Sequence, residues 1–317
     1  MKNFLAKLTI YMLVLSSITI GINLLHIYLI NNRNFGTMGS QKNDNAIIKD
    51  VPDNIQICNF GNSHSYYGFN YDDAVKEYTC FNFALPSQSL RYDSKILEHY
   101  RDKIHDGAAV FIAISYPSLF GKPEVEGEDF ASKNKRYYRF LPVELIDQYD
   151  IRTAFYVKYL PALTYSSPFS LVSAFLHGNE DSWSRETSPE KSDGLSRYKY
   201  HVASKLDKNG QRIIKQEAID ALYRIIALCQ EIGAVPIMIT TPYLHEYVDA
   251  TRDNDPQFFN EFHAIINEVR KNTGVNYYDY SEDKRFSHEY NLFMNSDHLN
   301  RQGAQLFTNT LLREVLH

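Results

Sequence analysis

Hydrophobic and polar residues are distributed unevenly along the chain, and the first 30 residues are the most apolar part. The 23 consecutive residues from Leu8 to Ile30 carry no formal charge. A helix rises about 1.5 Å per residue, so a run of this length spans a hydrocarbon core roughly 30 Å thick. A cleaved signal peptide would have an apolar run of only about 7 to 15 residues and a small-residue cleavage site. The pattern therefore predicts a transmembrane anchor over residues 1–30.

The charged residues around this run do not by themselves set the orientation of the anchor. Lys2 and Lys7 precede the run, and Arg33, Lys42 and Lys49 follow it. A short N-terminal tail that opens with two lysines resembles an uncleaved signal sequence. We therefore expect a single-pass membrane protein whose globular part lies on the extracytoplasmic side.

After the anchor, the patterns predict a polar tether and then an α/β domain. Residues 31–54 are rich in Asn, Gly, Lys and Asp, which is typical of a tether. Apolar residues recur at helical spacing in 214–229 and 259–269, so each segment can lay one face on a sheet. Five short apolar runs have strand length: Ile55–Phe60, Thr79–Phe83, Ala109–Ile114, Val235–Thr240 and Val275–Tyr278. Alternating strands and helices over 55–317 predict a parallel sheet covered by helices on both faces.

One segment interrupts this alternation. Residues 121–209 are too many for a simple connection in a compact domain. They include helical patterns at Val143–Leu163 and Phe169–Leu176. We expect this insertion to form a cap or a side lobe.

Charge and motifs exclude several classes of protein. Lys and Arg total 33 against 38 Asp and Glu, so the chain lacks the basic field that nucleic-acid binding requires. The sequence contains no C-x-x-C pair, H-E-x-x-H, Walker A or G-x-G-x-x-G pattern, so neither a metal nor another cofactor is expected. Cys58 and Cys80 lie on strands that can be neighbours. They could form a disulfide in an exported domain, although buried free thiols are the favoured interpretation.

Two short polar segments at opposite ends of the domain have the residues for nucleophilic chemistry. Ser63 follows a glycine-containing turn at the end of the first predicted strand, and His298 lies in a polar loop before a helix that Asn300 can cap. A serine hydroxyl becomes a good nucleophile when an imidazole takes its proton. Because ligands bind at the carboxyl ends of parallel strands, we expect Ser63 and His298 to meet there. Each segment taken alone is also consistent with simple helix capping.

These two segments resemble the first and last sequence blocks of the SGNH/GDSL hydrolases. The matching residues are Gly61-Asn62-Ser63-His64 and Asp297-His298-Leu299-Asn300. Single-span members of that family act on cell-envelope polymers and include relatives of alginate acetylation and teichoic-acid D-alanylation proteins. The resemblance implies a flavodoxin-like, three-layer fold, with Ser63 as nucleophile and oxyanion donor and His298 as base. The α/β-hydrolase pattern G-x-S-x-G fits less well, because its second glycine is missing.

The sequence departs from the family at the acid. The family places an acid three residues before the histidine, and this chain has Asn295 there, with Asp297 directly before His298. Adjacent side chains in an extended loop point apart, whereas residue i−3 can fold back across a turn. We expect Asn295 to contact the ring and Asp297 to hold the loop through backbone N–H groups, although a triad through Asp297 stays open.

The family's other two blocks, which supply a glycine and an asparagine to the oxyanion hole, have no clean match. Leu85–Ser89 and Ser115–Ser118 stand in their places. Backbone N–H groups or a side-chain amide can serve instead. The candidate oxyanion or substrate residues are Gly61, Asn62, His64, Ser87, Gln88 and Tyr116.

Together these features lead to one functional hypothesis and one alternative. The first is a membrane-anchored serine esterase or O-acyltransferase that acts on an acylated cell-envelope glycan or another ester. The alternative is a catalytically silent SGNH-like module that binds glycan or envelope-assembly proteins, and it is suggested by Asn295 and the missing oxyanion asparagine.

Overall fold

The computed structural model describes residues 2–32, 48–123, 134–160, 183 and 185–316. The chain divides into two compact units: one comprises Met1–Ile47 and Ala131–Asp181, and the other comprises Ile48–Phe130 and Ser182–His317. The predicted helix Phe169–Leu176 and most of the predicted tether lie outside the described residues.

The first unit contains the apolar N-terminal helix. Helix α1 covers Lys2–Asn32 and includes the whole apolar run. It is long and apolar enough to cross a membrane. Large apolar side chains along it are exposed, among them Phe4, Tyr11 and Leu13. Such a surface suits a lipid environment, because a water-exposed apolar patch of this size is unfavourable.

The second unit is an α/β domain built on a parallel sheet. Its strands are β1 Ile55–Phe60, β2 Cys80–Asn82, β3 Ile104–Ala113, β4 Val235–Thr240 and β5 Asn276–Asp279. They form one five-stranded sheet in the order β2-β1-β3-β4-β5, and every pairing is parallel. The five predicted strands are all present, which confirms the α/β prediction. The main difference is β3, which begins at Ile104 rather than Ala109.

Helices connect and cover these strands. Those of the second unit are α2 Ser63–Gly68, α3 Leu90–Tyr100, α5 Gly194–His201, α6 Gln216–Glu231, α7 His245–Asn254, α8 Phe258–Thr273 and α9 Arg301–Leu316. The first unit adds α4 Ile151–Tyr159, which is much shorter than the predicted Val143–Leu163. This helix begins at Ile151 because the Asp150 side chain caps its N-terminus by accepting hydrogen bonds from the Arg152 and Thr153 N–H groups.

The sheet is buried on both faces, as its strand sequences require. On one face Phe111 packs against Phe69, which also contacts Phe307 of α9. On the other face Phe60 stacks on Phe83, with ring centroids 4.9 Å apart. Helix α9 packs against α2, and α3 packs against α6. Because crossovers between parallel strands are right-handed, the change of direction at β1 puts α2 on one face and α3 on the other.

This change of direction locates the site. Strand β1 lies between β2 and β3 in the sheet. The chain therefore runs from β1 to β2 on one side of β1, and then crosses back to β3 on its other side. In open α/β sheets the crevice outside the carboxyl ends of such strands is where ligands bind. Residues 61–63 follow β1 at that crevice. A small antiparallel hairpin, β6 Phe293–Asn295 with β7 His298–Leu299, supplies the C-terminal loop.

Candidate active site

The turn after β1 depends on Gly61. Its φ is +137°, and a Cβ added there would lie 2.9 Å from Ser65 Cβ and 3.0 Å from the Ala113 carbonyl oxygen. Only glycine fits without strain, since this φ value is rarely adopted by residues with a side chain. The tight turn allows α2 to begin at Ser63, directly beyond the end of the strand.

Asn62 caps the helix and leaves Ser63 free for another contact. The Asn62 Oδ1 atom accepts the backbone N–H of His64 at 3.1 Å, and its amide Nδ2 donates to Ser115 Oγ at 2.6 Å. The simple interpretation of Ser63 as a capping residue therefore does not hold, because its neighbour performs that role.

A buried carboxylate stabilises the same turn by hydrogen bonding. Asp93 of α3 is fully buried, and its Oδ1 accepts the Gly61 N–H at 3.0 Å and the Gln88 amide at 2.6 Å. The Gln88 amide also contacts the Phe83 carbonyl oxygen at 3.1 Å. Gln88 was a candidate oxyanion donor. Its NH₂ group instead bonds within the protein, and the Gly61 N–H is likewise occupied.

His298 belongs to the hairpin before the last helix, and Asn295 organises that turn. Asn295 Oδ1 accepts the backbone N–H of His298 at 2.9 Å and of Asp297 at 3.2 Å. Asn300 caps α9 by accepting the Gly303 N–H at 2.9 Å, as its position in the sequence predicts. The hairpin and the cap together orient the His298 side chain.

The structure brings Ser63 and His298 together. His298 Nε2 lies 2.9 Å from Ser63 Oγ, and His298 Nδ1 lies 3.1 Å from Asn295 Oδ1. Because Asn295 Oδ1 also accepts backbone N–H groups, it is the amide oxygen, and the imidazole must donate from Nδ1. The lone pair of Nε2 then faces the serine hydroxyl. This is the tautomer that a general base needs.

Asp297 lies close to the same ring, but its contacts differ from those expected. Asp297 Oδ1 is 2.9 Å from His298 Nδ1, yet it is not aligned for a hydrogen bond. It also lies 3.2 Å from Arg197 Nε, and Asp297 Oδ2 lies 3.1 Å from His64 Nε2. The prediction that Asp297 holds the loop through backbone N–H groups is wrong. The Asn295 side chain accepts those groups, and the buried Asp297 carboxylate faces cationic and imidazole groups instead.

Burial and neighbouring charges have opposite effects on these groups. Burial raises the pKa of the Asp297 carboxyl, but the electrostatic influence of His298 and the contacts with His201, His298 and His64 lower the pKa by more. The pKa lies well below its usual range. Asp297 is therefore a carboxylate at neutral pH. Burial lowers the pKa of His64 to about 4, which leaves this ring neutral at the same pH.

Two residues at this site come from the predicted insertion and were not expected. Arg197 and His201 lie on α5, and His201 Nε2 is 3.0 Å from Asp297 Oδ2. Asp193, just before α5, accepts the Ser296 N–H at 2.9 Å and the Arg197 Nε–H at 2.6 Å. Arg197 and His201 are four residues apart, which puts both on one face of a helix, and this spacing was the signal in the sequence that could have indicated them. No local pattern shows that this face packs against Asp297.

The remaining candidates are divided between buried and exposed positions. Tyr116 is fully buried among Tyr243, Phe258 and Phe262, so it packs in the core and does not face solvent. Ser87 is exposed and has a φ of +55°, a left-handed conformation that glycine adopts more easily.

Cys58, Cys80 and Cys229 are free thiols, so the disulfide alternative is not realised. Among the described residues, His64, His201 and Asp297 have side-chain ligand atoms that could hold a metal ion, all within 4.8 Å of one another.

Comparison with known proteins adds no family assignment. No protein-family model matches the chain, and a search of curated proteins gives no match.

Proposed function

We propose that this protein is a membrane-anchored serine esterase or O-acyltransferase acting on an acylated cell-envelope glycan. The observation that carries the proposal is the contact of 2.9 Å between His298 Nε2 and Ser63 Oγ, with Nδ1 bonded to Asn295. The two residues are 235 positions apart in the chain. Local helix capping does not account for their meeting.

The geometry supports a two-step acyl transfer. Ser63 Oγ attacks the carbonyl carbon of the ester while His298 Nε2 takes the hydroxyl proton. The tetrahedral intermediate collapses to an acyl-serine, and the alcohol leaves with the proton from His298. Water or a sugar hydroxyl then attacks the acyl carbon while His298 takes its proton, and the Ser63 Oγ–acyl bond breaks as His298 returns that proton to Ser63 Oγ. Water gives hydrolysis, and a sugar hydroxyl gives transfer.

Backbone groups are the best candidates for the oxyanion hole. Ser63 is the first residue of α2, where N–H groups have no partner within the helix. Ser87 follows β2 in the left-handed conformation, at the place where the resembled family has a glycine. We assign the oxyanion donors to the Ser63 and Ser87 N–H groups, because the Gly61 N–H and the Gln88 amide bond to Asp93.

The architecture is consistent with the proposed family. The strand order β2-β1-β3-β4-β5 is that of flavodoxin-like sheets, and Ser63 follows the strand at which the order reverses. The N-terminal helix supplies the proposed anchor, with the α/β domain on the extracytoplasmic side. The glycan class comes from the resemblance to SGNH/GDSL hydrolases.

A serine-reactive fluorophosphonate probe tests the nucleophile directly. The full chain in detergent should be labelled once, and a Ser63→Ala variant should not be labelled. Ser204→Ala, which changes an exposed serine outside the site, is the matched control and should label like the wild type. Full labelling of Ser63→Ala would exclude Ser63 as the nucleophile.

A non-catalytic binding module is the second candidate. It is favoured by the Gln88 amide, which bonds to Asp93 and so offers no side-chain oxyanion donor. It is also favoured by Asn295, which cannot stabilise an imidazolium as a carboxylate does. If wild type and Ser63→Ala bind an acylated polysaccharide equally well and neither is labelled or releases acyl groups, this second function replaces the first.

A further inference from the structure

His64 faces hydrogen-bond acceptors on both sides of its ring. Its Nδ1 lies 3.0 Å from Asn62 Oδ1, and its Nε2 lies 3.1 Å from Asp297 Oδ2. Asn62 Oδ1 also accepts the His64 backbone N–H, while Asn62 Nδ2 donates to Ser115, so the amide orientation is set. His64 must therefore donate from Nδ1. In a neutral ring the Nε2 lone pair then points at a carboxylate oxygen, and no hydrogen lies between them.

A second imidazole approaches the same oxygen. His201 Nε2 lies 3.0 Å from Asp297 Oδ2, but it makes no aligned hydrogen bond. The side chains of His64 and Asp297 are 2% and 0% exposed, so solvent does not compensate for this arrangement. The lone pairs of His64 Nε2, His201 Nε2 and Asp297 Oδ2 thus point into one buried space. A single proton could form a hydrogen bond from only one of the two nitrogens to this oxygen.

We propose that His64 Nε2, His201 Nε2 and Asp297 Oδ2 bind a divalent transition metal ion, with Zn²⁺ as the ion that this ligand set suits best. Two imidazoles and a carboxylate are a common zinc ligand set with one open position. Bonds of about 2.1 Å in a tetrahedral site place ligand atoms about 3.4 Å apart. Asp297 Oδ2 lies 3.0 and 3.1 Å from the two nitrogens, and all three atoms lie within 4.8 Å, so small side-chain shifts suffice.

The surrounding residues have the roles that partners of metal ligands usually have. Asn62 accepts the Nδ1–H of His64, and such a bond commonly fixes the tautomer of a metal-bound histidine. Arg197 Nε lies 3.2 Å from Asp297 Oδ1. The guanidinium therefore contacts the other carboxylate oxygen and leaves Oδ2 for the metal ion.

Such a site would connect three separate parts of the α/β domain. His64 lies on α2, His201 on α5, and Asp297 in the loop between β6 and β7. The ion would hold the α5 helix against the loop that carries His298. Ser63 and His298 Nε2 are not ligands, so the inference does not depend on the proposed esterase activity.

Zinc binding by the full chain tests the site. The protein, in detergent and with an affinity tag that contains no histidine, is stripped with EDTA, dialysed and titrated with Zn²⁺ against a chromogenic chelator. We expect one zinc ion per chain, and at least about tenfold weaker binding in His201→Ala. His105→Ala removes an exposed histidine outside the cluster and should bind like the wild type. X-ray absorption of the zinc-loaded wild type should show two imidazole ligands.

Two further measurements keep the test decisive if His201→Ala folds poorly. Zn²⁺ should raise the urea midpoint of the wild type and not that of His201→Gln, and it should shift the ¹⁵N resonances of His64 Nε2 and His201 Nε2. Binding of less than one ion per chain, or equal zinc affinity in the His201 variants, would overturn the metal site. A His64 ring that carries hydrogens on both nitrogens with Zn²⁺ present would also overturn it.

Discussion

The two halves of the candidate site are held in place by different means. On the serine side, the Gly61 turn and the Asn62 cap are next to Ser63 in the sequence, and the support comes from the core through Asp93. On the histidine side, Asn295 forms the turn locally, but Asp193, Arg197 and His201 from a distant segment surround it. The serine turn therefore belongs to the central sheet, and the histidine loop depends on tertiary contacts with the α5 region.

This difference suggests how the two halves respond to mutation. Damage to the serine turn disturbs the core of the domain and lowers its stability. Damage to the histidine loop leaves the sheet intact and changes the orientation of the proposed base. Unfolding in urea can be followed by the fluorescence of Trp183, the only tryptophan, which is buried and donates to the Tyr67 carbonyl oxygen.

The largest expected effect is that of Gly61→Ala. The added methyl group meets Ser65 and the Ala113 carbonyl oxygen at a φ of +137°. We expect the free energy of unfolding in urea to fall by about 3 kcal/mol, from backbone strain and overpacking together. Gly107→Ala is the matched control, since Gly107 has a φ of +83° but no atom within 4 Å of the added Cβ. That variant should lose only about 1 kcal/mol. Equal losses would show that the close contacts at Gly61 do not matter.

Next in size is the effect of Asn295 substitutions on the rate of fluorophosphonate labelling. Asn295→Ala removes the acceptor for His298 Nδ1 and should slow labelling by about a hundredfold. Asn295→Asp keeps an acceptor and adds a charge that stabilises the imidazolium, so it should label faster than the wild type. Asn272→Ala changes an exposed asparagine and should have no effect. If Asn295→Asp labels no faster than the wild type, a charge at position 295 does not assist His298.

A smaller effect is expected for Asp193→Ala, which cuts the link between the α5 region and the histidine loop. The variant leaves the Ser296 N–H without its acceptor and Arg197 with Asp297 as its remaining carboxylate partner, and the free energy of unfolding should fall by about 1 to 2 kcal/mol. The labelling rate should fall as well, because the loop moves. Asp102→Ala, whose carboxylate is 95% exposed, should change neither quantity. Unchanged labelling in Asp193→Ala would mean that the local turn alone orients His298.

The smallest effect is expected for Ser87→Gly. The left-handed conformation of Ser87 is unfavourable for a serine, while glycine loses more entropy on folding. The strain relieved by glycine and the extra entropy that glycine loses on folding nearly cancel. The free energy of unfolding should therefore change by less than about 1 kcal/mol, and labelling should persist. Ser87→Pro removes the proposed oxyanion N–H and cannot adopt the positive φ of this turn, and for both reasons it should reduce labelling strongly. Undiminished labelling in Ser87→Pro would remove Ser87 from the oxyanion hole.

Most of the fold could be predicted because its signals are local. The strands were recognisable as short apolar runs, and the α6 and α8 helices as apolar residues at helical spacing. Helices α5 and α7 were missed. They are rich in polar residues and lack a clear apolar stripe, and their stability comes largely from packing against each other.

Local residue patterns are sufficient to predict the apolar N-terminal helix, the parallel α/β pattern and the positions of Ser63 and His298 at strand ends. Each of these follows from residue type and spacing over a few turns or strands. Which other groups surround these two residues depends on tertiary packing. Gln88 bonds to Asp93, and Arg197 and His201 reach Asp297. The first contact depends on side-chain directions that no local pattern specifies, and the other two join residues far apart in the chain.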